Sequence, residues 1–578
     1  MVRKWTSPGF GAWIVSRSRR SSASSVLAFV LLLSSGCGGS APSPTLAVLG
    51  ARVFTGDPDA PWAEALLVEN DRIVAVGTSA ELRPRVEEAR ILDGNGKLVV
   101  PGFIDGHVHF LTGGFRLASV QLRDAKTKEE FVSRISEFAR TVPSGTWILG
   151  GDWDHQLWGG ELPHRSWIDA ATPEHPVWVN RLDGHMALAN SRALEAASIG
   201  RHTEDVEGGA IEKDPGGEPT GVLKDNAMGL VDRVVPPPSE EMSLRALDAA
   251  MEYVAARGVT SAHHMGSFEE LELFRKARAQ GELKTRLYAA VPLGEWERLR
   301  DLSAAAGTGD RSLSWGVLKG FVDGSLGSHT AAFHAPYDDQ PGDRGFFVNT
   351  EEDLYRWISG ADSAGLHIAV HAIGDRANQT LLDIYERVAK ENGPRDRRFR
   401  IEHAQHLRPE DIPRFGKLGV IASMQPYHAI DDGRWAEKLI GLRIRTTYAF
   451  RSLLDAKAPL VFGSDWFVAP PTPLEGIYAA VTRRTLDDAN PDGWVPEEKI
   501  TVEEALTAYT RSAARAAFAE NELGMLKEGY LADFVILDRD ITRIPAEEIR
   551  DARVLTTVVG GNVVYEQARS ERPEKPSR

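Results

Sequence analysis

The segment Val100-Pro-Gly-Phe-Ile-Asp-Gly-His-Val-His109 decides the fold. It is typical of a buried strand that ends in a turn, and it carries a His-Val-His pair at that end. Residues i and i+2 of a strand share a face, so both imidazoles can reach one metal ion. The pair alone is a weak signal, because a random chain with this many histidines contains such a pair roughly 0.4 times. Its position at the end of an apolar strand gives it weight.

Beyond this segment, short apolar strands alternate with helical stretches. This alternation is typical of parallel α/β architecture. Eight strand–helix units predict a TIM-like (β/α)8 barrel, whose active site lies at the C-terminal ends of the strands. The eight strand candidates are Leu98–His109, Gly258–His264, Thr285–Val291, Trp315–Asp323, Leu366–Ala372, Phe399–Ala404, Val420–Gln425 and Pro459–Asp465.

Further metal-binding side chains stand at the ends of these strands. His371 and His403 each end an apolar run, and Asp465 ends another. Each of them alone is better explained as a buried core residue with satisfied hydrogen bonds. Four histidines and one aspartate at the same end of successive strands instead indicate one shared metal site.

Alternating apolar runs at both ends of the chain predict β structure outside the barrel. We expect residues 46–100 and 525–565 to pair into one small β-sandwich, with the barrel spanning residues 101–524. About 145 residues separate the first two strand candidates, far more than an ordinary βα loop contains. We therefore expect residues 112–255 to form an inserted subdomain over the barrel mouth.

The composition limits both the partners and the metal ligands. With 67 basic and 82 acidic residues the net charge is −15, which argues against nucleic-acid binding. The hydrophobic fraction of 42% is that of a globular protein. Cys37 is the single cysteine, which excludes an intramolecular disulfide and a thiolate zinc site. Any metal must therefore be bound by His, Asp, Glu or a modified Lys.

Residues 1–36 are expected to be an export signal. They contain basic residues and no acid, followed by an apolar run, Val26–Leu33, that is too short to span a hydrocarbon core about 30 Å thick. Small residues then precede Cys37, as in a bacterial lipobox, with Ser34 where Leu is usual. We expect acylation of Cys37, a flexible tether over residues 37–45, and a protein anchored to a membrane of the bacterial cell envelope, facing the periplasm or the exterior. The alternative is a plain cleaved signal.

Ordered motifs extend over nearly all of the mature chain. They are PGFIDGHVH (101–109), VNRLDGHMALANS (179–191), LKGFVDGSLGSHTA (318–331), HAIGDRAN (371–378), IEHAQ (401–405), FGSDWFV (462–468) and the run 523–533. Together they resemble the amidohydrolase superfamily, specifically its YtcJ-like group (amidohydrolase family 3). HxH alone is not specific, whereas the ordered set is highly specific.

This resemblance implies a distorted barrel, a small β-sandwich and a centre of one or two divalent metal ions, most often zinc. Lys319 matches a lysine that, in this family, is expected to be carboxylated and to bridge two metal ions. The alternative is that Lys319 is a salt-bridged or solvated lysine. A carbamate is an anionic oxygen ligand, whereas Lys⁺ beside two cations would be strongly disfavoured. The matching ligand positions are His107, His109, Lys319, His371, His403 and Asp465.

The same resemblance implies hydrolysis of a C–N bond. A bound metal would lower the pKa of a water molecule and so supply hydroxide near neutral pH. Asp465 is expected to accept a proton and to pass it to the leaving nitrogen.

The substrate-side residues are less clearly defined by the sequence. His185 lies in the expected insertion, in a matched motif, and is a candidate for contact with the substrate carbonyl or another polar group. Asp323 and Arg376 are candidates for contact with ligands or with the metal ligands. For all three the alternative is a buried hydrogen-bond partner that shapes a loop. Trp153 either lines an apolar pocket or belongs to the core of the insertion. Further residues of undecided role are Asp152, His155, His263, His264 and His428.

The sequence favours a metal-dependent hydrolase that cleaves an amide, N-formyl or related C–N bond of a small molecule. One alternative is hydrolysis of another bond, such as an ester, lactone or cyclic amide, at the same centre. The other is a catalytically inactive, lipid-anchored binding protein, against which the retained Asp465 argues because a binder need not keep a proton-transferring group. A monomer and a homo-oligomer are both left open.

The expected lipid anchor is tested by Cys37→Ala in a bacterial host that acylates lipoproteins. Without the thiol no acyl group can be attached, so we expect the variant to move from the membrane fraction to the soluble fraction. Immunoblotting of the two fractions measures this. Unchanged sedimentation would contradict acylation of Cys37.

Overall fold

The computed structural model of the protein describes residues 44–568. Its largest sheet has eight parallel strands that neighbour one another in sequence order. A parallel bridge between Val108 and Trp466 brings the end of this sheet back to its beginning. The expected (β/α)8 barrel is confirmed. Its strands are Phe103–Val108, Val259–Met265, Arg286–Pro292, Leu313–Phe321, His367–Ala372, Arg400–His403, Ile421–Met424 and Leu460–Phe462. The expected export signal and Cys37 lie outside the described residues.

Helices cover the outer face of the barrel, so several strands, such as Phe103–Val108, are buried at every position. Their beginnings follow from local capping. Ser267 and Glu270, for example, form a capping box at the start of Phe268–Gln280. The helices that pack on the barrel are Glu240–Ala255, Phe268–Gln280, Trp296–Ala306, Glu351–Ser363, Asp375–Glu391, Ile412–Leu418, Phe450–Asp455 and Val502–Ala508.

The remaining α-helices of the described residues lie in the insertion, in the connecting segments and beside the first and eighth barrel strands. They are Ser79–Leu82, Phe110–Arg116, Lys128–Ala139, Ser191–Ala196, Gly229–Asp232, His428–Asp432, Ala436–Ile440, Pro473–Thr482 and Arg511–Ala516. Within residues 44–568 no helix combines the length and the apolar character needed to cross a membrane.

The single strand expected over 98–109 is wrong. The structure divides it into Leu98–Pro101, which belongs to another sheet, and the first barrel strand. The chain turns between them at Gly102, where a Cβ atom would lie 2.2 Å from Thr260 Oγ1. Only glycine therefore fits this close approach of two segments. At the far end of the barrel, Asp465 lies beyond its strand, which ends at Phe462.

Two further sheets pack face to face around a shared apolar core. The N-terminal segment supplies one sheet alone, and both ends of the chain contribute to the other through the antiparallel pair Leu98–Pro101 and Phe534–Leu537. The first sheet contains Leu46–Leu49, Ala65–Glu69, Arg72–Gly77 and Arg90–Asp93. The second contains Arg52–Phe54, Trp62–Ala63, Leu98–Pro101, Phe534–Leu537, Val554–Val559 and Asn562–Glu566.

The long segment after the first barrel strand forms its own six-stranded sheet. This sheet ends at Asp225, and helix Glu240–Ala255 packs its apolar face into the barrel core. The insertion is therefore shorter than the expected 112–255. Its strands are Val120–Gln121, Ile148–Trp153, Val177–Arg181, Met186–Ala189, Gly209–Lys213 and Pro219–Asp225.

Candidate metal centre

The metal-binding side chains expected from the sequence meet at the C-terminal end of the barrel. Asp465 Oδ1 lies 3.4 Å from His107 Nε2 and 3.3 Å from His109 Nε2. Lys319, on the fourth barrel strand, places its Nζ 3.2 Å from His107 Nε2. Strands one, four and eight thus bring these four side chains into contact.

The fifth and sixth strands complete the cluster. The His403 ring lies 5.0 Å from the His107 ring and 4.4 Å from the His371 ring, between centroids. Ligand atoms of His107, His403 and Asp465 all lie within 4.8 Å of one another. His371 Nε2 contacts the carbonyl oxygen of Gly324 at 3.0 Å. All six side chains expected to bind metal therefore lie in one group, in which five are buried and His109 is partly exposed.

Left-handed backbone conformations occur where the cluster requires them. His403, Ala404 and Asp465 have φ angles of 75°, 43° and 61°, which non-glycine residues rarely adopt. Such conformations cost about 1–3 kcal/mol each and persist only where the surrounding structure enforces them. The turns after the sixth and eighth strands thus hold His403 and Asp465 in place at an energetic cost.

Burial sets the protonation states of the cluster. It lowers the pKa of His107 to about 4 and lowers the pKa of His371 and His403 well below the usual range. Burial opposes ionisation of Asp465, but neighbouring His107 and His109 outweigh it and lower the pKa of that carboxyl group. At neutral pH the cluster therefore offers the neutral imidazoles of His107, His371 and His403 and the carboxylate of Asp465, which are the forms that bind metal.

These residues fit a divalent cation. His403 Nδ1 and Asp465 Oδ1 are buried, and neither has a hydrogen-bond partner within the described residues. An unpaired buried polar atom costs free energy, and a cation at the centre of the group would satisfy both atoms. Imidazole nitrogen and carboxylate oxygen are ligands that zinc and similar metals prefer. The candidate ligands are His107, His109, Lys319, His371, His403 and Asp465.

A pocket opens beside the cluster, and His185 of the insertion lines it together with His371, His403 and Asp465. The His185 ring lies 4.9 Å from the His371 ring. Its Nδ1 is 2.7 Å from Asp225 Oδ1, and although burial acts against the charged form, this carboxylate raises the pKa of His185. No sequence pattern relates Asp225 to His185, so Asp225 was not predicted as part of the site.

The loop that carries His185 is fastened to the barrel. The Asp183 carboxylate accepts hydrogen bonds from Ser325 and Ser328, which follow the fourth barrel strand. It also forms an ion pair with buried Arg181 at 2.6 Å. The insertion thus forms one wall of the pocket.

The three other candidates for substrate contact do not line this pocket. Trp153 is fully buried in the core of the insertion, where its indole N–H donates to the Val179 carbonyl oxygen. Arg376 is exposed at the surface, and its guanidinium stacks on Phe347. Asp323 is fully buried and accepts hydrogen bonds from the backbone N–H groups of residues 332, 373 and 374. Burial raises the pKa of Asp323 to about 7. Asp323 thus supports the loop beside His371, and its Oδ1 lies 3.6 Å from Nε2 of this candidate metal ligand.

Residues left undecided by the sequence divide into two groups. His428 lines the pocket, and its Nε2 lies 3.8 Å from Asp465 Oδ2. The others bind neighbouring protein groups: His155 Nδ1 accepts from Arg181, Asp152 accepts from Asn180, and His264 Nδ1 accepts from a backbone N–H. His428 is therefore an additional residue of the candidate site, and its position shortly after the seventh strand was the available signal.

Comparison with known proteins identifies the family. A family described as "Amidohydrolase family" matches residues 90–565. The chain belongs to this family. It is 42% identical over 537 residues to Protein LONG AFTER FAR-RED 3 of Arabidopsis thaliana, covering 90% of this chain and 91% of that protein. It is also 32% identical over 535 residues to the putative amidohydrolase YtcJ of Bacillus subtilis, covering 90% and 99%.

Two further relatives carry descriptions of their chemistry. N-substituted formamide deformylase of Arthrobacter pascens is 30% identical over 551 residues, covering 91% of this chain and 99% of that protein. A crystal structure of an uncharacterized metal-dependent hydrolase from Pyrococcus horikoshii is similar with a TM-score of 0.70 and 28% identity, covering 87% and 99%. The YtcJ-like amidohydrolase resemblance is confirmed, and this amidohydrolase is a hydrolase of a metal-dependent family.

Replacing His403 by alanine tests the centre itself. His403 Nδ1 makes no hydrogen bond with any residue of the described range 44–568, so we expect the variant to fold and to retain less zinc than the wild type after dialysis against Zn²⁺. Elemental analysis measures bound zinc, and circular dichroism checks the fold. The matched control is His334→Ala, which removes an exposed histidine paired with Gln379 and should leave the zinc content unchanged. Equal zinc in all three proteins would contradict the assignment.

Proposed function

We propose that this amidohydrolase cleaves a C–N bond, in an amide, N-formyl or related group, of a small molecule. The observation that carries the proposal is the convergence of His107, His403 and Asp465 within 4.8 Å at the mouth of the barrel. The similarity to an N-substituted formamide deformylase over 91% of the chain supports the choice of bond. Fold alone would not select it, because one barrel serves many reactions.

Asp465 and His185 have complementary roles in this reaction. A bound divalent metal, most often zinc in such sites, supplies Lewis acidity and lowers the pKa of water. Asp465 accepts a proton from the attacking water and delivers it to the leaving nitrogen. His185, across the pocket and hydrogen-bonded to Asp225, donates to the substrate carbonyl oxygen.

Lys319 is proposed to carry a carbamate, which would supply anionic oxygen ligands to one or two divalent metal ions. Burial lowers the pKa of its ammonium group to about 8, which raises the fraction of neutral amine at physiological pH. The neutral amine attacks CO₂, so that an N–C bond forms and one proton leaves. The product is an anionic oxygen ligand on the fourth strand. This strand lies between the first strand, which leads to His107 and His109, and the fifth and sixth strands, which carry His371 and His403.

The protein is also proposed to act in the bacterial cell envelope, held to a membrane by acyl groups on Cys37. The basic start, the short apolar run and the small residues before Cys37 support this.

Asp465→Asn tests the proton-transfer role. Asparagine cannot accept and deliver the proton, so we expect kcat to fall about 100-fold or more. The assay is a screen of N-formyl and N-acyl compounds, with ester, lactone and cyclic amide compounds alongside, using protein in excess Zn²⁺. Asp383→Asn, at an exposed ion pair with Arg414, is the matched control and should keep full activity.

Other outcomes of the screen would contradict parts of the proposal. Near-normal turnover by Asp465→Asn would refute the role of Asp465. Turnover of esters or lactones alone would refute the proposed bond. A folded wild-type protein that binds no zinc and hydrolyses nothing would favour a binding protein instead of an enzyme.

A further inference from the structure

Directly below the metal centre, the barrel interior contains a buried ion pair. Arg400 and Glu402 lie two residues apart on the sixth strand and therefore point to the same face. Both side chains are fully buried, and Arg400 Nε lies 2.7 Å from Glu402 Oε1. The interior of such a barrel is ordinarily filled by branched apolar side chains, so a charged pair there requires an explanation.

Arg400 is fixed by several strands at once. Its Nη2 donates to the carbonyl oxygen of Gly106 on the first strand and, at 3.0 Å, to Ser423 Oγ on the seventh. Its Nη1 donates to His263 Nδ1 on the second strand at 3.0 Å. These contacts fix the orientation of the Arg400 guanidinium group, so that its Nε faces Glu402.

The second oxygen of Glu402 contacts a candidate metal ligand. His107 Nδ1 lies 2.5 Å from Glu402 Oε2. An ionised carboxylate only accepts hydrogen bonds, so the shared proton is on His107 Nδ1. His107 Nε2 then presents a lone pair, and it is this nitrogen that faces Asp465 and Lys319.

We propose that Glu402 is a positioning residue for the metal centre: held by Arg400, it fixes the tautomer and the ring orientation of His107 so that Nε2 is available to the metal. The inference rests on the proposed metal centre and adds to it Glu402, which stands in the motif IEHAQ without an assigned role, and Arg400, which precedes that motif. A carboxylate on the far nitrogen of a metal-binding histidine orients the ring and raises its basicity.

The contacts predict what glutamine would do at this position. The guanidinium of Arg400 attracts the amide oxygen of the new side chain, which turns its NH₂ group toward His107 Nδ1. That nitrogen must then accept, so the imidazole proton moves to Nε2, where it blocks metal binding. Glu402→Gln therefore changes the tautomer while preserving size and shape.

The experiment measures the affinity of the apoprotein for Zn²⁺ by competition with a chromophoric chelator. We expect Glu402→Gln to weaken Zn²⁺ binding by about 10- to 100-fold. Glu402→Asp keeps a negative charge beside Arg400 but is one methylene too short to reach His107 as well, so it should fold and show a similar loss. If Glu402→Gln does not fold, Glu402→Asp tests the inference in its place.

The matched control is Glu498→Gln, which changes another buried carboxylate, one that accepts hydrogen bonds from Ser452. Its Zn²⁺ affinity should equal that of the wild type. Thermal unfolding of each apoprotein separates a structural effect from a positioning effect, since a structural role would lower the unfolding temperature without changing Zn²⁺ affinity. Wild-type affinity in both Glu402 variants would overturn the inference, whereas a wild-type protein that binds no Zn²⁺ would overturn the proposed centre instead.

Discussion

The candidate site depends on the closure of the barrel between its first strand and the turn after its eighth. The backbone N–H of Asp465 donates to the His107 carbonyl oxygen at 2.7 Å, and that of His109 donates to the Trp466 carbonyl oxygen at 2.6 Å. Asp105 reinforces the join, because its carboxylate accepts from the Ser464 N–H at 2.8 Å. Residues remote in sequence thereby become neighbours, and the carboxylate of Asp465 reaches both first-strand histidines.

Without a metal ion, burying the polar side chains of the candidate metal centre costs free energy. The same arrangement is favourable when a metal ion is bound. His107, His371 and His403 are neutral because burial lowers their pKa values, and the carboxylate of Asp465 stays charged beside them. Strained turns at His403 and Asp465 add to the cost. The insertion then supplies what the barrel lacks, a hydrogen-bonded pair of His185 and Asp225 on the opposite side of the pocket.

The sequence predicts the barrel and the convergence of the metal-binding residues, because strand ends are marked by apolar runs and parallel strands share an edge. It does not predict pairings between side chains on different strands. Glu402 lies beside His403 in the sequence but contacts His107. Asp225 contacts His185, which lies on a neighbouring segment of the insertion although it is remote in sequence. The role of Trp153 stayed open in the sequence, because an aromatic residue in a core and one in a pocket have the same local sequence; the structure places it in the core of the insertion. Gly102 stands between the two strands and must be glycine because Thr260 approaches it closely, a contact between remote segments that the sequence does not show.

Diffraction data collected on both sides of the zinc absorption edge, from crystals of the zinc-loaded protein, test the central claim most directly. The account predicts an anomalous peak at bonding distance from His107, His403 and Asp465, together with density extending beyond Lys319 Nζ. Zinc bound elsewhere, with no peak among these three side chains, would contradict it.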